Sequence, residues 1–367
     1  MVGYLMHKDD VFAKLDIDDY GFKVIEFYTN RFPCESEPVL HKWFSARQTP
    51  YSAGNLADAY KFIGVDTFKD FMTLTAFTSI NDCFWVKTNT KQTWSNTNLY
   101  TNHFTKCLED ILMGRFNING GKTQNSIYNP CFTNGGSFPK IFKHYNGDIY
   151  CIKGSRKQKI KELDNWFIYS ELLVCQIYKY LKLTHYVDYE LSTYKGELVC
   201  SSKIFTNESI EYFPAVYKLN GYPNYETIKK LFGNFELFYI MLLIDCVTFN
   251  KDRHTGNYGF LIDSYSGKVI GMNQLYDNNY ALFPDLSIKG VTKDNFHILN
   301  ETVVSRLDDE PFDSLARKIL ADYPKGKYLL SSLLNFKFTC VDKAQPWRIN
   351  RLNAILHTQC KHILEGV

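Results

Sequence analysis

The sequence predicts an α+β fold in two lobes, one sheet-rich and one mainly helical, preceded by an extra N-terminal α+β region. Three features carry this expectation. Alternating apolar runs flank an Asn146-Gly147 turn, a hairpin pattern because both residues accept the positive φ of a tight two-residue turn. The apolar segment Asn234 to Phe249 reads as a helix buried on most sides. Residues 300–364 again place their apolar side chains at helical spacing.

Taken in order, residues 1–115 mix short strand-like and helical pieces. Asn55 to Ile63 and Thr67 to Phe77 have helical spacing, interrupted at Gly64. Gly, Asn, Ser and Thr dominate residues 114–137, which therefore read as loop. Strands are expected at Phe138–His144 and Ile149–Lys153, then one helix over 162–182. Its core contacts are expected from Trp166, Phe167, Leu172, Leu173, Ile177 and Leu181. Strands Tyr186–Thr193 and Glu197–Thr206 follow around Tyr194-Lys195-Gly196. A later hairpin, Tyr258–Asp263 with Lys268–Met272, turns at Ser264–Gly267. The expected domains are 1–115, 116–206 and 207–367.

Composition narrows the class. The chain has 367 residues, of which 45% are apolar and 16% aromatic, enough to build a packed core. A net charge of +3 predicts neither a nucleic-acid nor a membrane-surface footprint. Ten cysteines are scattered singly, without Cys-x-x-Cys or a Cys/His group at zinc spacing, so reduced thiols are expected. The N-terminal stretch lacks a signal-peptide core. The apolar run Leu237–Phe249 is too short to span a bilayer and carries Asp245. A cytoplasmic protein is the expectation.

Chemistry concentrates in Asn250-Lys251-Asp252-Arg253-His254-Thr255-Gly256-Asn257. The interval from Asp252 to Asn257 matches the Asp-to-Asn interval of catalytic loops that transfer phosphoryl groups. Such transfer needs a carboxylate near the attacking hydroxyl and hard oxygen ligands for Mg²⁺. Asp277 supplies a second acid, which the hairpin after Asn257 can return to the same point. Any one of these residues alone is better explained by a capped, solvated turn; the ordered set is what points to chemistry. Asp245 is expected to anchor the loop from its helix, with Arg253 and His254 as structural braces. Gly120-Gly121-Lys122-Thr123 imitates the end of a nucleotide-binding P-loop. Phe116 stands where the first glycine belongs and no strand precedes it, so it reads as loop.

The order Asp-Arg-His-x-x-Asn, after an apolar helix carrying an Asp and before Leu275-Tyr276-Asp277-Asn278, resembles the HipA-like bacterial kinases. It also resembles the phosphoinositide 3/4-kinase type. The segments Asn81-Asp82-Cys83-Phe84-Trp85-Val86-Lys87, Thr93-Trp94-Ser95-Asn96 and Ile149-Tyr150-Cys151-Ile152-Lys153-Gly154-Ser155 lean to the HipA-like side. The resemblance implies a two-lobed protein-kinase-like fold and a serine/threonine kinase that uses ATP and Mg²⁺ and can autophosphorylate. Asp252 would be catalytic, Lys153 would bind ATP, and Glu171 would pair with that lysine, with Glu162 as competitor. Asn257 and Asp277 would hold metal. Gly135, Gly136, Ser137 and Lys140 match the glycine loop over the phosphates, and Ser137 the position of an autophosphorylated serine. Main chain near Ile204 and Phe205 would meet adenine. Implied partners are a protein carrying a Ser or Thr hydroxyl and a small helix-turn-helix antitoxin. A lipid or small-molecule kinase and a non-catalytic pseudokinase are the alternatives. The first hundred residues depart from the better-known HipA pattern.

Overall fold

The computed structural model of the chain describes residues 1–50, 55–114, 127–219, 223–292, 295–307 and 309–366. The Gly120–Thr123 run lies outside them. The chain divides into two compact units, one of residues 1–154, 203–213 and 261–270, the other of 155–202, 214–260 and 271–367. Both mix helices with antiparallel strands, as an α+β sequence requires.

The first unit opens with strands β1 (Val2–His7), β2 (Asp10–Ile17) and β3 (Phe22–Phe27). β4 (Phe84–Lys87) completes a sheet of order β3-β2-β1-β4. Leu5 pairs with Ala13 and His7 with Phe84. Leu5, Ala13 and Leu15 are fully buried, so one face of this sheet forms core. Helices Glu37–Arg47, Leu56–Ile63 and Phe68–Thr75 contribute Trp43, Phe44, Tyr60 and Phe71 to the same core. The second helix stops at Gly64 because that residue is left-handed, φ +75°. The third starts on a capping box in which Thr67 and Asp70 each accept the other's backbone N–H. Buried Arg47 donates to the Asp82 carboxylate at 2.7 Å and to the Phe84 carbonyl at 2.7 Å, which fixes the entry to β4.

β5 (Lys140–Tyr145) and β6 (Asp148–Gly154) form the expected hairpin. Asn146 and Gly147 both have positive φ, +50° and +83°, as this two-residue turn demands. The register sets Lys140 opposite Lys153.

In the second unit the expected helix over 162–182 covers Trp166–Tyr180. It starts late because Asn165 is left-handed at φ +66°, which an α-helix cannot propagate through. β7 (Glu190–Tyr194) and β8 (Glu197–Lys203) pair around Lys195 and Gly196. The expected strand from Tyr186 is shorter, because Val187 N–H bonds instead to Leu275 O, and Leu275 N–H to His185 O. β9 (Ile210–Pro214), β10 (Gly259–Asp263) and β11 (Val269–Met272) form a sheet of order β11-β10-β9, of which residues 210–213, 261–263 and 269–270 belong to the first unit.

The expected apolar helix spans Glu236–Thr248 and is buried on nearly every side from Met241 onward. Phe249, left-handed at φ +54°, ends it and turns the chain into the polar run. Helices His297–Thr302, Phe312–Asp322, Gly326–Leu333 and Pro346–Glu365 complete the unit. Among the described residues no helix is long and apolar enough to cross a membrane.

Candidate active site

The polar run after Phe249 is folded by a single buried carboxylate. Asp245, in the last turn of the apolar helix, is 4% exposed and so requires partners. Asn250 donates its side-chain amide to Asp245 Oδ1 at 2.8 Å, and its N–H to the Asp245 carbonyl at 3.0 Å. Arg253, 2% exposed, approaches edge-on, with Nε to Oδ2 at 2.8 Å and Nη2 to Oδ1 at 3.0 Å. This is the two-point geometry that a planar guanidinium offers a carboxylate. Burial works against the Arg253 charge, but the Asp245 carboxylate outweighs it and holds the pKa well above the usual arginine range.

The same guanidinium reaches a second segment. Nη1 donates to the Tyr276 carbonyl at 2.7 Å and Nη2 to Asn278 Oδ1 at 2.9 Å. Arg253 therefore ties the loop to the two residues flanking Asp277. Asp277 itself is left-handed, φ +59°, a conformation that Asp tolerates better than most residues. Its N–H donates to Tyr189 Oη at 3.4 Å. Tyr276 Oη donates to the Gly256 carbonyl at 3.0 Å, and Tyr178 Oη to Asn278 Oδ1 at 3.0 Å.

Asn257 joins the two segments. Its Oδ1 accepts from His254 N–H at 2.9 Å. Its Nδ2 lies 3.2 Å from Asp277 Oδ2 and 3.4 Å from the Asp252 carbonyl. His254 Nδ1 accepts from Gly256 N–H at 3.0 Å, which closes the turn and places the ring proton of a neutral imidazole on Nε2. Burial lowers the His254 pKa, against the opposing pull of Asp277 and Asp252. Burial raises that of Asp252; Arg306 and His254 counter it, and Asp277 adds to it.

Asp252 also carries a contact that its neighbours in sequence do not announce. Arg306 Nη2 stands 2.9 Å from Asp252 Oδ1. Both border a cleft of about 350 Å³, lined also by Lys251, Tyr280, Ser305 and Asp309. A larger hollow of about 820 Å³, bordered by His297, Arg317 and His362, shares no residue with the loop. The chemistry, not the volume, marks the cleft at Asp252 as the candidate site.

The remaining expected residues have identifiable partners. Glu171, fully buried on the helix Trp166–Tyr180, accepts from Asn278 N–H at 2.7 Å and so braces the Asp277 segment. Glu162, the competitor, pairs instead with Lys289 at 2.5 Å on the surface. Lys153 lies on β6, its ammonium 5.5 Å from the centre of the Phe138 ring. In the glycine loop, Gly136 has φ +90°, and the Lys140 ammonium donates to the carbonyls of Asn134 and Gly135. Ile204 N–H donates to the Ile149 carbonyl at 3.0 Å, and the Phe205 ring packs 5.4 Å from that of Tyr212. Sequence spacing pointed to Asp245, Asp252, Arg253, Asn257 and Asp277. It missed Arg306 and Tyr189, which come from distant segments and belong to no local pattern.

No protein-family profile matches the chain, and no curated protein sequence matches it significantly. Solved structures do. HipA of Shewanella oneidensis, from a toxin–antitoxin complex with HipB and operator DNA, aligns over 98% of this chain and 97% of its own. The TM-score is 0.52 at 14% identity. The proinflammatory kinase CtkA of Helicobacter pylori aligns over 62% of this chain and 89% of its own, with TM-score 0.43 and 20% identity. The near end-to-end alignment with HipA shows a HipA-like kinase fold, including the N-terminal region whose sequence departs from that pattern.

Proposed function

We propose that this chain is an ATP- and Mg²⁺-dependent phosphotransferase that phosphorylates a Ser or Thr hydroxyl on a protein. The carrying observation is the Asn257 amide, whose Nδ2 lies 3.2 Å from Asp277 Oδ2 and 3.4 Å from the Asp252 main-chain carbonyl. The Asp277 carboxylate is a hard oxygen donor of the kind Mg²⁺ takes, and Asn257 would add its Oδ1, which here accepts from His254 N–H while Nδ2 faces Asp277. Asp277 also bears electrostatically on Asp252, so a cation at this point relieves repulsion between two acids. The donor set thus fits the metal, with Asn257 and Asp277 as its holders. When bound with ATP, the ion neutralises charge on the phosphate oxygens.

The chain's own groups do the rest. Asp252 orients the acceptor hydroxyl and takes its proton; burial raises its proton affinity and makes it a better base. In this reading the cleft beside Asp252 receives the acceptor. Lys153 contacts phosphate oxygens, and Gly135 and Gly136 let backbone N–H groups approach the same anion. Lys140, bonded to the loop carbonyls, holds that loop's shape. Adenine would meet main-chain groups at 204–205 other than the Ile204 N–H, which Ile149 already engages. Ser137 is the proposed autophosphorylation site. A small helix-turn-helix partner and a cytoplasmic location belong to the same reading, and the complex of HipA with HipB supports a partner of that kind.

Purified protein supplied with Mg²⁺ and γ-labelled ATP should label itself or an added protein. Asp252→Ala should abolish the transfer and keep nucleotide binding. Ser137→Ala should remove self-labelling while sparing transfer to the added protein. Wild-type protein that neither binds ATP with Mg²⁺ nor transfers phosphate would sink the proposal.

A further inference from the structure

Among the described residues, one group of metal-type donors comes together, and it lies wholly in the first unit: His7, Cys83 and Glu211. We propose that these three side chains form a structural divalent-metal site of the zinc type, independent of the phosphotransfer centre.

The donors come from three segments held in register by the main chain. His7 ends β1 opposite Phe84 of β4, Cys83 immediately precedes β4, and Glu211 lies in β9. Lys8 N–H bonds to the Cys83 carbonyl at 3.1 Å, and Tyr212 N–H to the Asn81 carbonyl at 2.6 Å. These bonds bring together residues 204 and 128 positions apart, which is why no Cys/His spacing in the sequence disclosed the group.

The ligand atoms all lie within 4.8 Å of one another. Tetrahedral zinc, with bonds of about 2.0–2.3 Å, separates its ligands by about 3.3–3.8 Å. The His7 Nε2 to Glu211 Oε1 distance is 2.8 Å, so shifts of about an ångström bring the set to coordination distance. Imidazole, thiolate and carboxylate together suit zinc better than the all-oxygen preference of magnesium or calcium. A fourth position is left to water or to the Glu208 carbonyl, which lies 3.6 Å from Cys83 Sγ.

The charge balance points the same way. His7, Cys83 and Glu211 are 5%, 0% and 2% exposed. Glu211 Oε1 accepts the Cys83 N–H at 2.7 Å and lies 2.8 Å from His7 Nε2. A divalent ion bound by one thiolate, one carboxylate and a neutral imidazole is electroneutral, the state that a buried site favours. Binding forms the metal–sulfur bond and releases the thiol proton to solvent. The rings of Phe84 and Phe12, 4.6 and 5.5 Å from His7, wall one side against water. The ion would cross-link β1, β4 and β9.

The test uses the full chain and Co²⁺ as spectroscopic probe, with Zn²⁺ as competitor. Wild-type protein should take up one Co²⁺ and show thiolate-to-cobalt charge-transfer absorption that Zn²⁺ abolishes. Cys83→Ser should lose that absorption, while Cys34→Ser, at another buried thiol, should keep it. Glu211→Gln still offers an oxygen to the Cys83 N–H and so should fold; it should weaken metal binding at least tenfold. Absence of stoichiometric Co²⁺ and Zn²⁺ binding by wild type overturns the proposal. So does absorption that survives Cys83→Ser, or Glu211→Gln binding as tightly as wild type.

Discussion

Replacing Arg253 by Lys tests whether the guanidinium fork, beyond its charge, builds the site. The structure gives Arg253 four bonds: two to Asp245, one to the Tyr276 carbonyl and one to Asn278. An ammonium is one atom with diverging donors and cannot serve three groups placed around a planar fork. Keeping Asp245 as its partner, Lys loses at least the two bonds that hold the Asp277 segment. Hydrogen bonds involving a charged group are worth about 1.5–3 kcal/mol each net of water. Allowing for partial recovery, the expected loss is about 3 kcal/mol, or about 6–12 °C in melting temperature for a domain of this size. Arg253→Met should cost more, about 3–5 kcal/mol, because it leaves the buried Asp245 carboxylate without its cation. Thermal unfolding followed by circular dichroism, with Mg²⁺·ATP binding measured alongside, reads both effects. A fall of under 2 °C for Arg253→Lys, or Arg253→Met no worse than Arg253→Lys, would refute the reasoning.

Three further outcomes are expected. Asn257→Ala and Asp277→Ala should each raise the Mg²⁺ concentration needed for half-maximal transfer by tenfold or more, and titration of activity against Mg²⁺ checks this. Arg306 lowers the Asp252 pKa from the position to which burial raises it. Arg306→Ala should therefore move the acid limb of kcat/KM to higher pH, and an unmoved limb would count against Asp252 as the base. His254 is held below its ordinary pKa by burial, so the folded state binds its proton less tightly than the unfolded chain. Its stabilisation is complete above the ordinary value of about 6.5 and is lost as pH falls from there through the lower folded value. Denaturation midpoints at pH 7.5 and 5.5 should differ less in His254→Gln than in wild type.

The features legible in the sequence are those whose cause is local. Asn146-Gly147 dictates its turn through φ alone, and Gly64 ends its helix in the same way. The loop at Asp252 was legible because Asp245, Asp252, Arg253 and Asn257 lie within one short stretch. Features decided by distant partners were not legible. The helix expected from 162 begins only at Trp166, where the side chain of distant Gln345 donates to the Glu162 carbonyl and accepts the Trp166 ring N–H. The strand expected from Tyr186 yields part of its length to Leu275. Arg306 reaches Asp252 from a segment with no motif, and His7 reaches Glu211 across most of the chain.

The Asp-Arg-His order has a physical reason that joins these two kinds of feature. Adjacent side chains leave the loop on different sides, so the Asp252 side chain remains 21% exposed while that of Arg253 is 2% exposed. The partly exposed Asp252 is held in place by the buried Arg253 beside it, which locks the loop to the apolar helix through Asp245. The same buried guanidinium seizes Tyr276 and Asn278 and so sets Asp277 beside Asn257. Asn278 is then held a second time, by Glu171. Removing the acceptor with Glu171→Leu should therefore loosen the segment at Asp277 and leave the loop at Asp252 folded. An Arg253 variant should disturb both at once. A local motif thus encodes a non-local device: one buried ion pair positions Asp252 directly and Asp277 through its flanking residues.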